Sequence, residues 1–444
     1  VATEPLGGDP ITDVAAWLRH QGSLRRDVIG AIGELLTGVA AVDIDDAETE
    51  NQFTARALSI ASAGHTVIET QDLSGVTSIT SGMALAELIT EHNAVIGPCR
   101  HTDSPSWTTT QIGDDVFHHP QALRAAFPAG TLDSDAPVVV VLDARPNMGR
   151  PTVSAVVRPE DHGVAQTVMS RLEDRATALN PYRGRVCRVS STGLGLSLSV
   201  EDLQAVGRSK ITVPQDVWYE LDLSIEALKG DKLSGRGLFS RRGVMLVGPP
   251  GCGKTSVARA IAAERVADGW TVFIVDSRVG ETALGAVVAE AARLQPSCIC
   301  LEDLDLFVRD RAHMGGGGLG VLLESLDAES NSAILTISTT NDPRTLDAAA
   351  QRNGRFHSVV ECPSPDRASA GAILATFIDG LPGSESVDED AVAGALLPGS
   401  SGADIRELVT RTVLAQDVVS TAGLLAEIDR GRYRPAVPAG GAYL

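Results

Sequence analysis

The chain has 444 residues, enough for two or three domains with separate cores, and its 43% hydrophobic and 21% charged content is that of an ordinary globular protein. Its 57 acids outnumber 37 bases, for a net charge of −20, which argues against a long phosphate-tracking surface and so against nucleic acid as a partner. No apolar run reaches the roughly 18 residues of a membrane span, and no basic-then-apolar leader opens the chain, so the expected location is the cytoplasm, without a membrane.

Residues 1–135 are expected to form a mostly helical region, a candidate partner or substrate domain. Leu24, Val28, Ile32, Leu35 and Leu36 share a helical face, 83–92 suggests another helix, and 65–69 suggests a strand. The Thr-, Ser- and Pro-rich stretch 97–113 has no periodicity and reads as a loop. His118-His119 has no acid or cysteine cluster beside it and reads as surface or loop. The six cysteines (Cys99, Cys187, Cys252, Cys298, Cys300, Cys362) lack metal-ligand spacing and read as small apolar residues.

An α+β subdomain is expected over 136–210. Runs 137–142 and 152–157 are β-rich around a hairpin loop, and 160–179 is amphipathic through Val164, Val168, Leu172 and Ala176. A strand follows at 186–190. Arg183, Arg185 and Arg188 make this the most basic stretch, suited to an acidic partner, to the neighbouring domain or to a solvated strand edge. Residues near 207–225 are expected to link to the next domain, with Trp218 and Tyr219 packing this linker against that domain or near a bound base.

The strongest signal comes next. Gly248, Pro249, Pro250, Gly251, Cys252, Gly253, Lys254 and Thr255 fill every position of G-x-x-x-x-G-K-[ST], behind the apolar run 243–247 and before a helix that Ser256 continues. Glycines without Cβ let the backbone curl around a phosphate at the helix N-terminus. Lys254 would neutralise β and γ oxygens, and the Thr255 hydroxyl would ligate a magnesium ion. The cofactors expected are therefore ATP and Mg2+.

Further buried strands are expected at 271–275, 298–301, 333–338 and 358–362. The 298–301 strand ends in Glu302-Asp303, with Asp305 beyond, at the edge where parallel sheets bind ligands. One carboxylate can hold the metal while the other orients or deprotonates water. Asn341 follows the next strand, to meet a γ-phosphate or lytic water or simply to form a turn. Arg352 and Arg355 flank a glycine, suited to reaching a phosphate in an adjacent subunit.

Taken together, about 243–415 resembles the AAA (AAA+) ATPases, with these motifs in the family's order and Gly399-Ser-Ser-Gly-Ala-Asp404 similar to its lid signature. The resemblance implies a three-layer α/β domain over 211–365 with strand order 5-1-4-3-2. A helical lid would cover 366–434, a flexible tail 435–444, and the α+β N-terminal region would precede them. By resemblance Asn341 is sensor 1, Arg352 and Arg355 act in trans, and Gly402 and Ala403 touch the nucleotide near adenine. A homo-oligomeric ring, a hexamer, acting on a protein client is implied, with a nucleotide-dependent scaffold as the alternative and a DNA-acting ATPase as the third.

Two departures stand out. The family's strand end reads Asp-Glu, whereas here Glu302 takes the metal-side position and Asp303 the base position. That order, with Arg241-Arg-Gly before the first strand, is similar to the mitochondrial Rieske-protein translocase branch, whose membrane anchor is not seen here. Unfoldases of the family carry an aromatic pore residue before a glycine, where this chain has Val279-Gly280; Arg311 and His313 lie in a second pore loop or a surface loop. Ala442-Tyr443-Leu444 resembles tails with which proteasomal ATPases dock on the proteasome core.

Overall fold

The computed structural model describes residues 48–145, 149–192, 195–203, 206–229, 241–279, 281–309, 332–341 and 356–434. The expected helix around Leu24–Leu36, Arg311, His313, Arg352, Arg355 and the 442–444 tail lie outside the described residues.

Two sheets organise the rest. The first contains β1 (Val67–Asp72), β2 (Val95–Gly97), β3 (Ser106–Ile112), β4 (Asp115–Phe127), β5 (Val138–Asp143) and β6 (Thr152–Val157), in the order β1-β6-β5-β4-β2 with β3 also on β4, all antiparallel. Helix α1 (Glu50–Leu58) places Phe53 and Leu58 against Val139 and Val156. Helices α2 (Gly75–His92) and α3 (His162–Ala178) bury Leu85, Leu88, Val168 and Leu172 against alternate strand residues such as Leu123, Val140 and Val153. Ser74 starts α2 with a reciprocal cap, its hydroxyl accepting from the Thr77 N–H while Thr77 accepts from the Ser74 N–H.

The 48–135 region is therefore not mostly helical. Thr108 and Thr110 alternate with exposed Trp107, Thr109 and Gln111 along β3, a half-exposed strand that β-branched threonines suit although no apolar period marks it. His119 is likewise not on the surface. It is buried in β4, with Nε2 3.0 Å from Thr110 Oγ1 and Nδ1 3.1 Å from the Pro120 carbonyl, and burial lowers its pKa.

The second sheet contains β7 (Val186–Thr192), β8 (Gly195–Val200), β9 (Arg242–Val247), β10 (Thr271–Val275), β11 (Ser297–Leu301), β12 (Ile334–Thr340) and β13 (Ser358–Glu361), in the order β13-β9-β12-β11-β10-β7-β8. All neighbours are parallel except the β7–β8 hairpin. One face carries α4 (Gln215–Leu228) and α5 (Lys254–Ala267), through Leu221, Ile225, Val257 and Ile261. The other carries α6 (Glu281–Arg293), through Leu284, Val287 and Ala291. With both faces covered, β10, β11 and β12 are wholly buried runs, the parallel-sheet pattern.

The unit expected over 136–210 is split between these sheets. Its first two strands pair with β1 and β4, and its last two extend the parallel sheet, where Val186–Arg188 add to the edge that β10 would otherwise leave bare. The basic stretch is engaged within the chain: exposed Arg183 donates to the carbonyls of Thr177, Arg293 and Gln295, Arg185 pairs with Asp115, and Arg188 pairs with Glu201. Val76 and Ile112 share a core with Leu196 and Leu198, so the two sheets are joined by apolar packing. Helices α8 (Arg367–Ile378), α9 (Glu389–Ala395), α10 (Gly402–Gln416) and α11 (Thr421–Arg430) enclose a separate core around Leu374, Leu408 and Tyr433. Between β11 and β12 lies α7 (Leu304–Arg309).

Candidate active site

Strand β9 ends at Val247 and the chain turns at Gly248, where a Cβ would lie 2.1 Å from the Cys362 carbonyl oxygen. The loop runs through Gly251 (φ +79°) and Gly253 (φ +87°), conformations that favour glycine, and delivers Lys254 to the first turn of α5. Lys254 is buried, and its ammonium donates to the Gly248 and Pro249 carbonyls, each at 2.7 Å. Burial lowers its pKa.

A cavity of about 660 Å³ opens at this loop. Residues 250–256, Asp303 and Asn341 are among its lining, with Lys210, Asp366 and Arg406. Val206, Ile211, Val213, Ile373 and Phe377 supply its apolar lining, and Gly402 and Ala403 complete the enclosure. The Ala403 N–H donates to the Gly251 carbonyl at 3.3 Å, so α10 starts against the loop. Only glycine permits that approach, since a Cβ on Gly251 would come within 2.6 Å of Ser401 Oγ and 2.8 Å of Ala403 Cβ.

The two strand-end carboxylates separate. Asp303 turns into the cavity through a left-handed backbone (φ +54°), with its N–H on Thr339 Oγ1 at 3.0 Å. Burial, then the charges of Asp305 and Glu302, raise its pKa, against a hydrogen bond from the Asn341 side chain. Glu302 does not line the cavity. It is paired with Arg259 at 3.0 and 3.4 Å, and Arg259 sits one turn beyond Thr255 on α5. Beneath them Asp305, 2% exposed, accepts from Thr340 Oγ1 at 3.3 Å and from the Asn341 N–H at 3.1 Å. Asp305 thereby seats Asn341.

Lys254, Thr255, Asp303, Asn341, Gly402 and Ala403 thus come together, Glu302 stands one ion pair away, and Arg352 and Arg355 lie outside the described residues. Sequence reasoning gave no role to Arg259, Ile373 or Phe377, and for the linker it named Trp218 and Tyr219 rather than Val206, Ile211 and Val213. Only Arg259 left a trace in the sequence, as a cation at i+4 from Thr255. At the pore-loop position the backbone turns Val279 inward, 2% exposed in the core, while the Arg278 side chain is 83% exposed and held at 2.6 Å by Asp276.

The lining suits Mg-ATP: positive-φ glycines form an anion cradle, Lys254 supplies charge, and Thr255 offers an oxygen donor of the kind that magnesium takes alongside phosphate and water. The family described as "ATPase family associated with various cellular activities (AAA)" matches residues 244–364, which hold every strand of this site. The chain carries an AAA ATPase domain. That domain hydrolyses ATP with Mg2+ as its cofactor.

Among its relatives are ATP-dependent zinc metalloproteases named FtsH. That of Salinibacter ruber (strain M8), FtsH 2, is 36% identical over 209 residues, 44% of this chain and 30% of its own. Those of Caulobacter vibrioides and Syntrophotalea carbinolica are 32% and 34% identical, over 49% and 50% of this chain and 36% and 37% of theirs. The chain thus spans about a third of the length of these relatives. Among the described residues, no three His, Cys, Asp or Glu side chains group so as to hold a metal ion by themselves, and no helix is long and apolar enough to cross a membrane.

Proposed function

We propose that this protein is an AAA ATPase that works as an oligomeric ring, a hexamer, and couples ATP hydrolysis to remodelling of a protein client or complex. The observation that carries this reading is the joint construction of the cavity: phosphate loop, Asp303, Asn341 and the start of α10 enclose one space. ATP with magnesium supplies the phosphoanhydride bond to be cleaved. Lys254 would leave the loop carbonyls for phosphate oxygens, and Thr255 would hold the metal, with Glu302 supporting it from beside α5. Asp303, on its raised pKa, would orient or deprotonate water, with Asn341 fixing its carboxylate. The helices from α8 onward would act as a lid, reading the loop through the Gly251–Ala403 contact. Arg352 and Arg355 would complete the site of a neighbouring subunit.

The Glu302-Asp303 order supports kinship with the Rieske-protein translocase branch. Cytoplasmic placement and docking of Ala442-Tyr443-Leu444 on a proteasome core belong to the same reading and rest on the sequence. The rival, a nucleotide-dependent assembly protein that threads nothing, gains from the buried Val279, which leaves no apolar pore side chain at that position.

The deciding experiment is the ATPase rate per protomer across a wide protein concentration range with magnesium. A steep rise to a plateau supports trans-acting arginines, whereas a flat, appreciable rate indicates a site complete in one chain or a ring that never dissociates. No turnover would favour the assembly protein. Asn341→Ala should keep nucleotide binding and lose about 100-fold in turnover; unchanged turnover would refute its assignment. Stimulation by a client protein separates remodelling from assembly, and stimulation by DNA would revive the third reading.

A further inference from the structure

Part of the cavity wall is built by a short linking segment that also reaches the phosphate loop, where a Cβ on Gly253 would lie 3.6 Å from Val213 Cγ1. Residue 206 precedes a single 3-10 turn, Arg208–Lys210, and residues 211–213 run from that turn to the start of α4. Two backbone bonds stiffen the turn itself, Lys210 N–H to the Gly207 carbonyl at 2.9 Å and Ile211 N–H to the Arg208 carbonyl at 3.0 Å. They do not tie it to the domain.

Ile211 and Val213 pack against the core around Leu221 and Val257, and one polar side chain adds a directional tie. Arg208 donates to both carboxylate oxygens of Asp222 at 2.8 and 2.9 Å and to both of Glu264 at 2.6 and 2.7 Å. Its guanidinium also lies 4.9 Å from the Trp218 ring centroid. Asp222 and Trp218 belong to α4 and Glu264 to α5, the helix that begins at the phosphate loop. A planar fork can satisfy two carboxylates and stack on an indole at once, which an ammonium cannot.

We propose that Arg208 is a positioning residue for nucleotide binding: by clamping the linker to α4 and α5 it holds Val206, Ile211 and Val213 at a fixed distance from the phosphate loop, so the slot for the base is formed before the nucleotide arrives. This rests on the reading of the cavity as an ATP site. The phosphate loop would take the phosphates, which leaves the apolar side chains of this segment to meet the base and ribose. Preorganising that wall strengthens binding only for ligands that touch it.

The test is calorimetric binding of ADP and of inorganic tripolyphosphate, with magnesium, to the full chain and to Arg208→Ala, Arg208→Lys and Asp222→Asn. Arg208→Ala should weaken ADP about tenfold while tripolyphosphate stays within about twofold, and KM for ATP should rise with kcat nearly constant. Arg208→Lys should recover part of the loss. Asp222→Asn, which keeps Glu264 and Trp218 in contact, should fall between and reports on the clamp if Arg208→Ala fails to fold. Equal weakening of both ligands, or wild-type ADP affinity in Arg208→Ala and Asp222→Asn, overturns the proposal. Failure of the wild-type chain to bind either ligand would instead overturn the nucleotide reading on which it stands.

Discussion

The two sheets collect polar residues in opposite ways. In the parallel sheet, six strands point the same way, so the loop after β9, the acids after β11 and Asn341 after β12 converge on one edge. In the antiparallel sheet successive strands alternate direction, their ends scatter, and exposed residues such as Ile68 and Val116 stand apart on β1 and β4. Strand direction therefore decides where an active site can assemble. The candidate site lies at the edge of the parallel sheet.

The largest effect that would break this division is on Lys254. Lys254→Ala should abolish detectable nucleotide binding and lower turnover by about 10³ or more, with a Tm shift of no more than about 4 °C because its two acceptors are loop carbonyls that water can reach. Titration with a fluorescent ATP analogue and a thermal melt check both halves. Retained binding would remove the phosphate loop from the mechanism, and a collapse in Tm would show that the two sheets are not separable in function.

A matched pair of glycines sharpens the comparison at a smaller scale. Gly251 and Gly130 have similar backbones, φ +79° and +85°, but a Cβ on Gly130 would meet nothing within 4 Å, whereas on Gly251 it would strike Ser401 and Ala403. Both alanine variants should lose about 1 kcal/mol of stability to the left-handed strain. Only Gly251→Ala should also weaken nucleotide binding, by about tenfold, because α10 must move off the loop. Equal nucleotide affinity in the two variants would mean that the contact between α10 and the loop has no part in binding.

How much of this was readable beforehand follows the same line. The phosphate loop, the strands 271–275 and 298–301 and the helix after Lys254 were legible because glycine spacing and continuous apolar runs are local signals. The assignment of β7 and β8 to the parallel sheet was not, since Val186–Thr192 carries no mark of which edge it will join. Strand β3 was missed because threonines satisfy a half-exposed strand without any apolar rhythm. At the site, residue type alone did not separate Glu302 from Asp303, and only the family resemblance ordered them. What separates them is the left-handed backbone at Asp303 and the reach of Arg259, both properties of the folded chain.

The subtlest contrast is in pH dependence, where one carboxylate from each sheet behaves oppositely. At Asp143, at the end of β5, burial pushes the pKa up, but hydrogen bonds from Arg145 and the charges of Arg145 and Arg100 outweigh it and leave the pKa lowered. Its stabilisation is present above the ordinary aspartate value of 3.8 and is lost as pH falls through the lower folded value. Asp303 is raised, so its contribution to stability is present below 3.8 and is lost as pH rises through the higher folded value. The ionised form that can accept a proton from water is thus the form the fold disfavours. On acidification kcat should fall first, about tenfold per pH unit below the raised Asp303 value, while the Asp143 pairing survives to a pH below 3.8. Asp143→Asn should leave the acid limb of kcat in place and lower stability at neutral pH, because Arg145 and Arg100 lose their buried partner. A pH–rate profile beside Tm measured over the same pH range decides it: if activity and Tm decline together, acid unfolding rather than titration of Asp303 sets the limb.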